Sequence, residues 1–142
     1  MIPDFAGKVI EIVRMDFGLR LWTEDNWEIL LSGPVLVTSA GRGPEEVVVD
    51  VEAAPLPPAV QGLEGQPISS LLVSREGHLG LTVGQRQLSV SADPAYEAWQ
   101  LAGHDGERLI CMPGGELAHF PPVRDAARNT DAGTAGVGDV AD

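Results

Sequence analysis

Cysteine, basic side chains and long apolar runs are all scarce in this chain, and each scarcity excludes a class of protein. Cys111 is the single cysteine in 142 residues. No intrachain disulfide can form, and a reducing compartment suits the chain. No stretch approaches the ~18 consecutive apolar residues that would cross a bilayer as a helix. The opening segment MIPDFAGKVIEIVRMDF has no basic n-region leading into an apolar run and a small-residue cleavage site, so a secretory leader is not expected and a cytoplasmic location is.

Basic residues number 9 against 21 Asp plus Glu, a net charge of -12. Such a chain repels phosphate backbones, which argues against nucleic-acid binding unless a local basic patch exists. Arg14, Arg20, Arg42, Arg75, Arg86 and Arg108 are scattered singly along the sequence, with no visible cluster. Catalytic and metal signatures are missing as well. There is no G-x-S-x-G, H-E-x-x-H or C-x-x-C, and no repeated His/Asp spacing. No metal and no cofactor are expected.

What the sequence does contain is short period-2 segments divided by turn residues, the pattern of an antiparallel β protein. KVIEIVRM, LRLW and WEILL come first, the last two joined by TEDN as a hairpin. PVLVTS, EEVVVDVE, SSLLVS, LGLTV, QLSVSA, YEAWQL, ERLICM and ELAHF follow. The expected fold is mainly β: an antiparallel meander of about ten short strands, folded into a sandwich or partial barrel. PLPPAVQGLEG breaks the period. Leu56, Val60 and Leu63 lie at i, i+4 and i+7, which reads as one short helical connection near 56–64. Residues 1–120 form a single domain of about the size that buries two-thirds of its unfolded surface. Residues 121–142, rich in Ala, Gly and Asp, read as a disordered tail.

Alternation also sorts side chains by face. Leu19 and Leu21 point opposite to Arg20 and Trp22, and Trp27, Ile29 and Leu31 opposite to Glu28 and Leu30. Trp22 and Leu30 therefore lie on the outward side, where a second sheet or a partner must meet them. In EEVVVDVE, Val47, Val49 and Val51 read as core, while Glu46, Asp50 and Glu52 form an acidic ladder. That ladder is either a protected edge or an electrostatic contact surface.

The stretch CMPGGELAHF raises three candidates: a phosphate loop, a thiol site or a turn. No lysine or Ser/Thr follows its glycines and a strand follows them, so the phosphate reading fails. Cys111 reads as a small buried hydrophobe. If Pro113 and Glu116 close the turn, Cys111 faces Ala118 and His119 faces Ile110, which puts the thiol and the imidazole on opposite faces. Pro113, Gly114 and Gly115 are then the structural turn, with the glycines supplying positive φ angles.

Gly77, Leu81, Tyr96-Glu97-x-Trp99 and Pro113-Gly-Gly-Glu-Leu-Ala118 resemble a family of small uncharacterised actinobacterial all-β domains. The resemblance extends back to Gly7. It implies a compact all-β fold and no established activity. Similar small acidic domains occur near bacterial toxin systems, where some act as immunity proteins.

These observations lead to the expectation of a non-enzymatic protein-binding module, in its most concrete form an immunity-like inhibitor of a basic toxin. Glu46, Asp50 and Glu52 would steer a basic protein partner, and Trp22 and Leu30 would anchor it. The chain would be a monomer, or a homodimer joined through the Trp22 face. The alternative is a small hydrolase or ligand-binding β-barrel whose site gathers distant strands, marked by a pocket holding His119 or Cys111 with two carboxylates.

Overall fold

A computed structural model describes residues 2–123. It contains eleven strands: β1 Ile10–Met15, β2 Leu19–Thr23, β3 Glu28–Leu31, β4 Val35–Ser39, β5 Glu45–Val47, β6 Ile68–Val73, β7 Leu79–Val83, β8 Arg86–Val90, β9 Trp99–Ala102, β10 Arg108–Cys111 and β11 Leu117–Phe120. They form two antiparallel sheets, β1-β2-β3-β9-β10-β11 and β5-β4-β8-β7-β6. The mainly β expectation holds, as two packed sheets without a closed barrel. The local meanders are as expected. What joins them is two pairings between strands distant in sequence, β3 with β9 and β4 with β8.

The chain leaves the first sheet after Leu31, builds the whole second sheet, and returns at Trp99. At the crossing point the N–H groups of Ser32 and Gly33 both donate to the Ala98 carbonyl, at 2.8 and 3.2 Å. The two sheets pack crosswise. The β6–β7 hairpin starts beside β1, where Gly7 N–H donates to Ile68 O and Ile68 N–H to Lys8 O, both at 2.8 Å. Its far end, at Gly77, abuts Gly115 in the β10–β11 turn. β1 and β6 are edge strands, and each carries an irregularity, between Ile10 and Ile12 and between Ile68 and Ser70. Bulges of this kind let edge strands bend where two sheets meet at a corner.

Alternation decides which side chains enter the core. Leu19, Leu21, Ile29, Leu31, Trp99, Leu101 and Leu109 from the first sheet meet Val35, Val37, Leu79, Leu81, Val83, Leu88 and Val90 from the second, all at most 2% exposed. Burying each such side chain contributes about 1.5–3 kcal/mol. The free edge of β1 is covered. Val13 N–H donates to Glu64 Oε2 at 3.0 Å, Ile10 N–H to Gln66 O at 2.9 Å, and Ala54 N–H to Met15 O at 3.0 Å.

The structure bears on three further expectations. The short helical connection is present as a single 3-10 turn, Pro58–Val60. Its apolar face is as read, since Val60 and Leu63 are fully buried and Leu56 packs at the core's margin, but Gly62 at φ +80° ends the turn at once. The strand expected over 45–52 stops at Val47. Beyond it the chain crosses to the β1–β2 turn, where Gly18 N–H donates to Val49 O at 2.8 Å and Phe17 N–H to Val51 O at 2.7 Å. The tail expected over 121–142 lies, from residue 124, outside the described residues. Val123 itself is bonded to the fold, its N–H donating to Asp105 O at 2.7 Å.

Candidate binding face and the surrounding surface

The outward side of the six-stranded sheet follows from the strand registers. One row across the sheet reads Arg14, Arg20, Leu30, Gln100, Ile110, Ala118, and the next reads Ile12, Trp22, Glu28, Ala102, Arg108, Phe120. Seven of these twelve positions are apolar. None of the seven belongs to the core cluster or to the hydrophobic residues packed against it. Ile110 is only 8% exposed, Ile12, Trp22, Leu30, Ala102 and Ala118 are half-buried, and Phe120 is 50% exposed. Trp22 and Leu30, singled out by alternation, both lie here, and the second sheet covers the other side.

Three arginines that are scattered singly along the sequence share this face, Arg14 and Arg20 side by side on β1 and β2 and Arg108 three strands away on β10. Arg14 sits directly opposite Arg20 on the neighbouring strand. Arg20 Nη1 donates to Glu28 Oε2 at 2.8 Å, and Arg108 Nη2 to Gln100 Oε1 at 3.3 Å. Glu28 is the only carboxylate among the twelve positions. Sequence reasoning missed that they share a face, because only strand order brings them to the same sheet. The one local clue was their position, each at an outward place in its strand.

The acids are elsewhere. Glu46, Asp50 and Glu52 are all exposed, and Val47 and Val49 are buried, so the alternation is as read. Glu46 stands opposite Leu36 on the outer face of the second sheet. Asp50 and Glu52 lie in the connection from β5 to β6, where it runs past the β1–β2 turn. The fold thus does not bring these carboxylates into one patch with Trp22 and Leu30.

On the outer face of the second sheet, Glu46 joins Leu36, His78, Ser91, Asp93 and Tyr96 around an open groove of about 310 Å³. His78 Nδ1 and Ser91 Oγ are 3.3 Å apart. Burial, reinforced by Asp93 and Asp50, pushes the Tyr96 hydroxyl above its usual range, so it stays protonated. Nucleophilic catalysis needs the base oriented by a further group, and among the described residues no carboxylate hydrogen-bonds the His78 ring. Among the described residues no group of three or more His, Cys, Asp or Glu could hold a metal ion.

Cys111 and His119 do not form a dyad, but the reason differs from the one expected. Met112 N–H donates to Glu116 O at 2.7 Å, so Pro113, Gly114 and Gly115 make a three-residue loop. The register therefore shifts by one: Cys111 lies opposite Leu117, and His119 opposite Leu109. A one-residue slip moves every side chain of a strand to the other face, so both residues point inward. They are nevertheless engaged separately. Cys111 Sγ lies 3.5 Å from Gly77 O, and His119 Nε2 lies 3.1 Å from Glu107 Oε2. Cys111 is fully buried, and desolvation raises its thiol above the ordinary range despite a backbone hydrogen bond at Ala98. Since the thiolate is the reactive form, an aromatic disulfide reagent should label the folded chain at least about a hundredfold more slowly than the urea-unfolded one. Equal rates would show an accessible thiol.

The turn itself clasps the two sheets. Gly115, at φ +101°, lies so close to the Glu76–Gly77 turn that a Cβ there would come within 2.2 Å of Glu76 O. A Cβ on Gly77 would come within 2.7 Å of Gly115 O. Between them, Trp99 Nε1–H donates to Gly77 O at 2.8 Å inside the core.

Among the described residues no helix is long and apolar enough to cross a membrane. A family model described as a family of unknown function (DUF6188) matches residues 1–121, ending one residue after β11. No curated protein and no solved structure matches the chain. The chain belongs to the DUF6188 family.

Proposed function

We propose that this DUF6188 member is a non-enzymatic protein-binding module that meets its partner through the outer face of the six-stranded sheet. The observation that carries this reading is the set of seven apolar side chains on that face, none of them packed into the cluster between the sheets. Sheets normally bury apolar faces against another layer, and a large uncovered one marks an interaction surface. The face also carries Trp and Arg, the residue types that dominate binding energy in protein interfaces. Trp22 is the anchor. The groove around His78 is the weaker candidate, because among the described residues no carboxylate orients the His78 ring beside Ser91 for chemistry.

An immunity-like inhibitor that works by covering a toxin is the most concrete form of this function. The net charge of -12 would then act at long range, speeding encounter with a basic protein. Glu46, Asp50 and Glu52 contribute to that field from outside the contact face. The single buried thiol suits a cytoplasmic site of action.

The test compares the wild-type chain with Trp22→Ala, after both are shown to melt alike. Partners retained from the source cytosol are purified and titrated against each. Truncating an interface tryptophan should weaken binding by about 2 kcal/mol or more, roughly thirtyfold. A partner that binds both chains equally tightly would move the contact surface off this face.

A further inference from the structure

We infer that the partner surface meeting the Trp22 face presents carboxylates around an apolar centre, and that Arg14, Arg20 and Arg108 receive them. This deepens the proposed function and rests on the same face. Its ground is charge complementarity at short range. Three of the chain's nine basic residues stand among the twelve face positions, with Glu28 the one acid, so the face is locally positive in a chain of net charge -12. The far field of the protein and the near field of its apolar face are opposite in sign. Encounter and contact therefore select for different features of the partner.

Geometry sharpens the case. Arg14 and Arg20 lie directly opposite each other on paired strands, and like charges so placed destabilise a sheet. Among the described residues Arg14 makes no salt bridge, and Arg20 has Glu28 alone. A guanidinium offers five N–H donors in a planar fork suited to bidentate carboxylate binding. Most of those donors are unspent here. A carboxylate from a partner, seated between the two arginines, would relieve the repulsion and use the donors together.

The same charges exclude other occupants. A second copy docked face to face would set arginine against arginine, with only Glu28 on each side to offset them. A lysine-rich surface would meet like charge at contact, which costs several kcal/mol. Nucleic acid offers anions, but seven apolar positions out of twelve match a protein surface better than a phosphate backbone, and the chain's net charge repels it.

The probe is a phage-displayed library of random dodecamer peptides. It is selected on the wild-type chain and counter-selected on Trp22→Ala. Enriched sequences should combine aromatic or aliphatic residues with Asp and Glu and be poor in Lys and Arg. A synthetic peptide of the enriched type should bind at physiological salt, and Arg14→Glu, Arg20→Glu and Arg108→Glu should each weaken it at least about tenfold. Arg42→Glu, away from the face, should not. Arg14→Glu supplies an independent readout in the free chain: it removes the like-charge pair, so the melting temperature should rise while binding falls. Enrichment of Lys/Arg-rich peptides, or indifference to all three face substitutions, overturns the carboxylate assignment and leaves the binding face standing. Absence of any Trp22-dependent enrichment removes the face itself. Tight binding of a random-sequence DNA duplex that is lost in the arginine variants would also overturn the assignment, by making the receptor one for phosphate.

Discussion

Replacing Gly115 by alanine should cost more than about 4 kcal/mol, a large part of the 5–15 kcal/mol that holds a domain of this size together. Replacing its neighbour Gly114 should cost only about 1–2 kcal/mol. Both glycines have positive φ, +89° and +101°, so both substitutions strain the backbone. Their surroundings differ. A Cβ on Gly114 meets nothing within 4 Å, whereas one on Gly115 comes within 2.2 Å of Glu76 O and 3.0 Å of the Glu76 carbonyl carbon. Those atoms are backbone and cannot swing aside. To admit a methyl group, the β10–β11 hairpin must separate from the β6–β7 turn, which opens the core beside Cys111 and Trp99. Urea unfolding of the two alanine variants checks this directly. Equal shifts of the midpoint would mean that both glycines serve only the turn and that the clasp between the sheets is not a source of stability.

The second large effect belongs to Trp99. Its side chain is fully buried, and its Nε1–H is the main donor to Gly77 O. Trp99→Phe keeps a ring in the core but leaves that carbonyl with the weak S–H donor of Cys111 alone, 3.5 Å away. An unsatisfied buried acceptor costs about 1–3 kcal/mol, and the lost volume adds to it, so a total near 2–4 kcal/mol is expected. Trp99→Ala should lose about 3–5 kcal/mol by cavity formation before the hydrogen bond is counted. The pairing is tested by combining Trp99→Phe with Gly77→Ala. Coupled sites share their losses, so the double variant should lose clearly less than the sum of the two singles. Strict additivity would show that Trp99 and the Gly77 turn act independently.

These two effects explain why CMPGGELAHF stood out. Pro113 and the glycines were legible as a turn because a proline followed by positive-φ residues is a local signal. The register was not. A loop of two residues and a loop of three read almost alike in sequence, and the choice between them decided the faces of Cys111 and His119. Nor could the sequence tell Gly114 from Gly115, since what distinguishes them is a turn nearly forty positions away.

The same division runs through the binding face. That Trp22 and Leu30 point away from Leu19, Leu21, Ile29 and Leu31 was readable from alternation within two strands, because side chains on a strand change sides at every residue. That Arg14, Arg20 and Arg108 join them was not, because β2 pairs with β1 and β3, while β10 reaches the face only through β9. Pairing between distant segments depends on how the whole chain closes, which no short window records. The acidic ladder marks the opposite limit. Its alternation was correct, yet the chain leaves the sheet after Val47 and carries Asp50 and Glu52 away from Glu46's strand.

By itself, then, the sequence determined the class of fold, the turn residues and the alternation of side chains within single strands, since these depend on neighbours a few residues apart. Only the tertiary structure decided which outward residues share a surface. Strand order and the crosswise packing of the sheets set that, placing an apolar, arginine-bearing face on one side of an acidic protein.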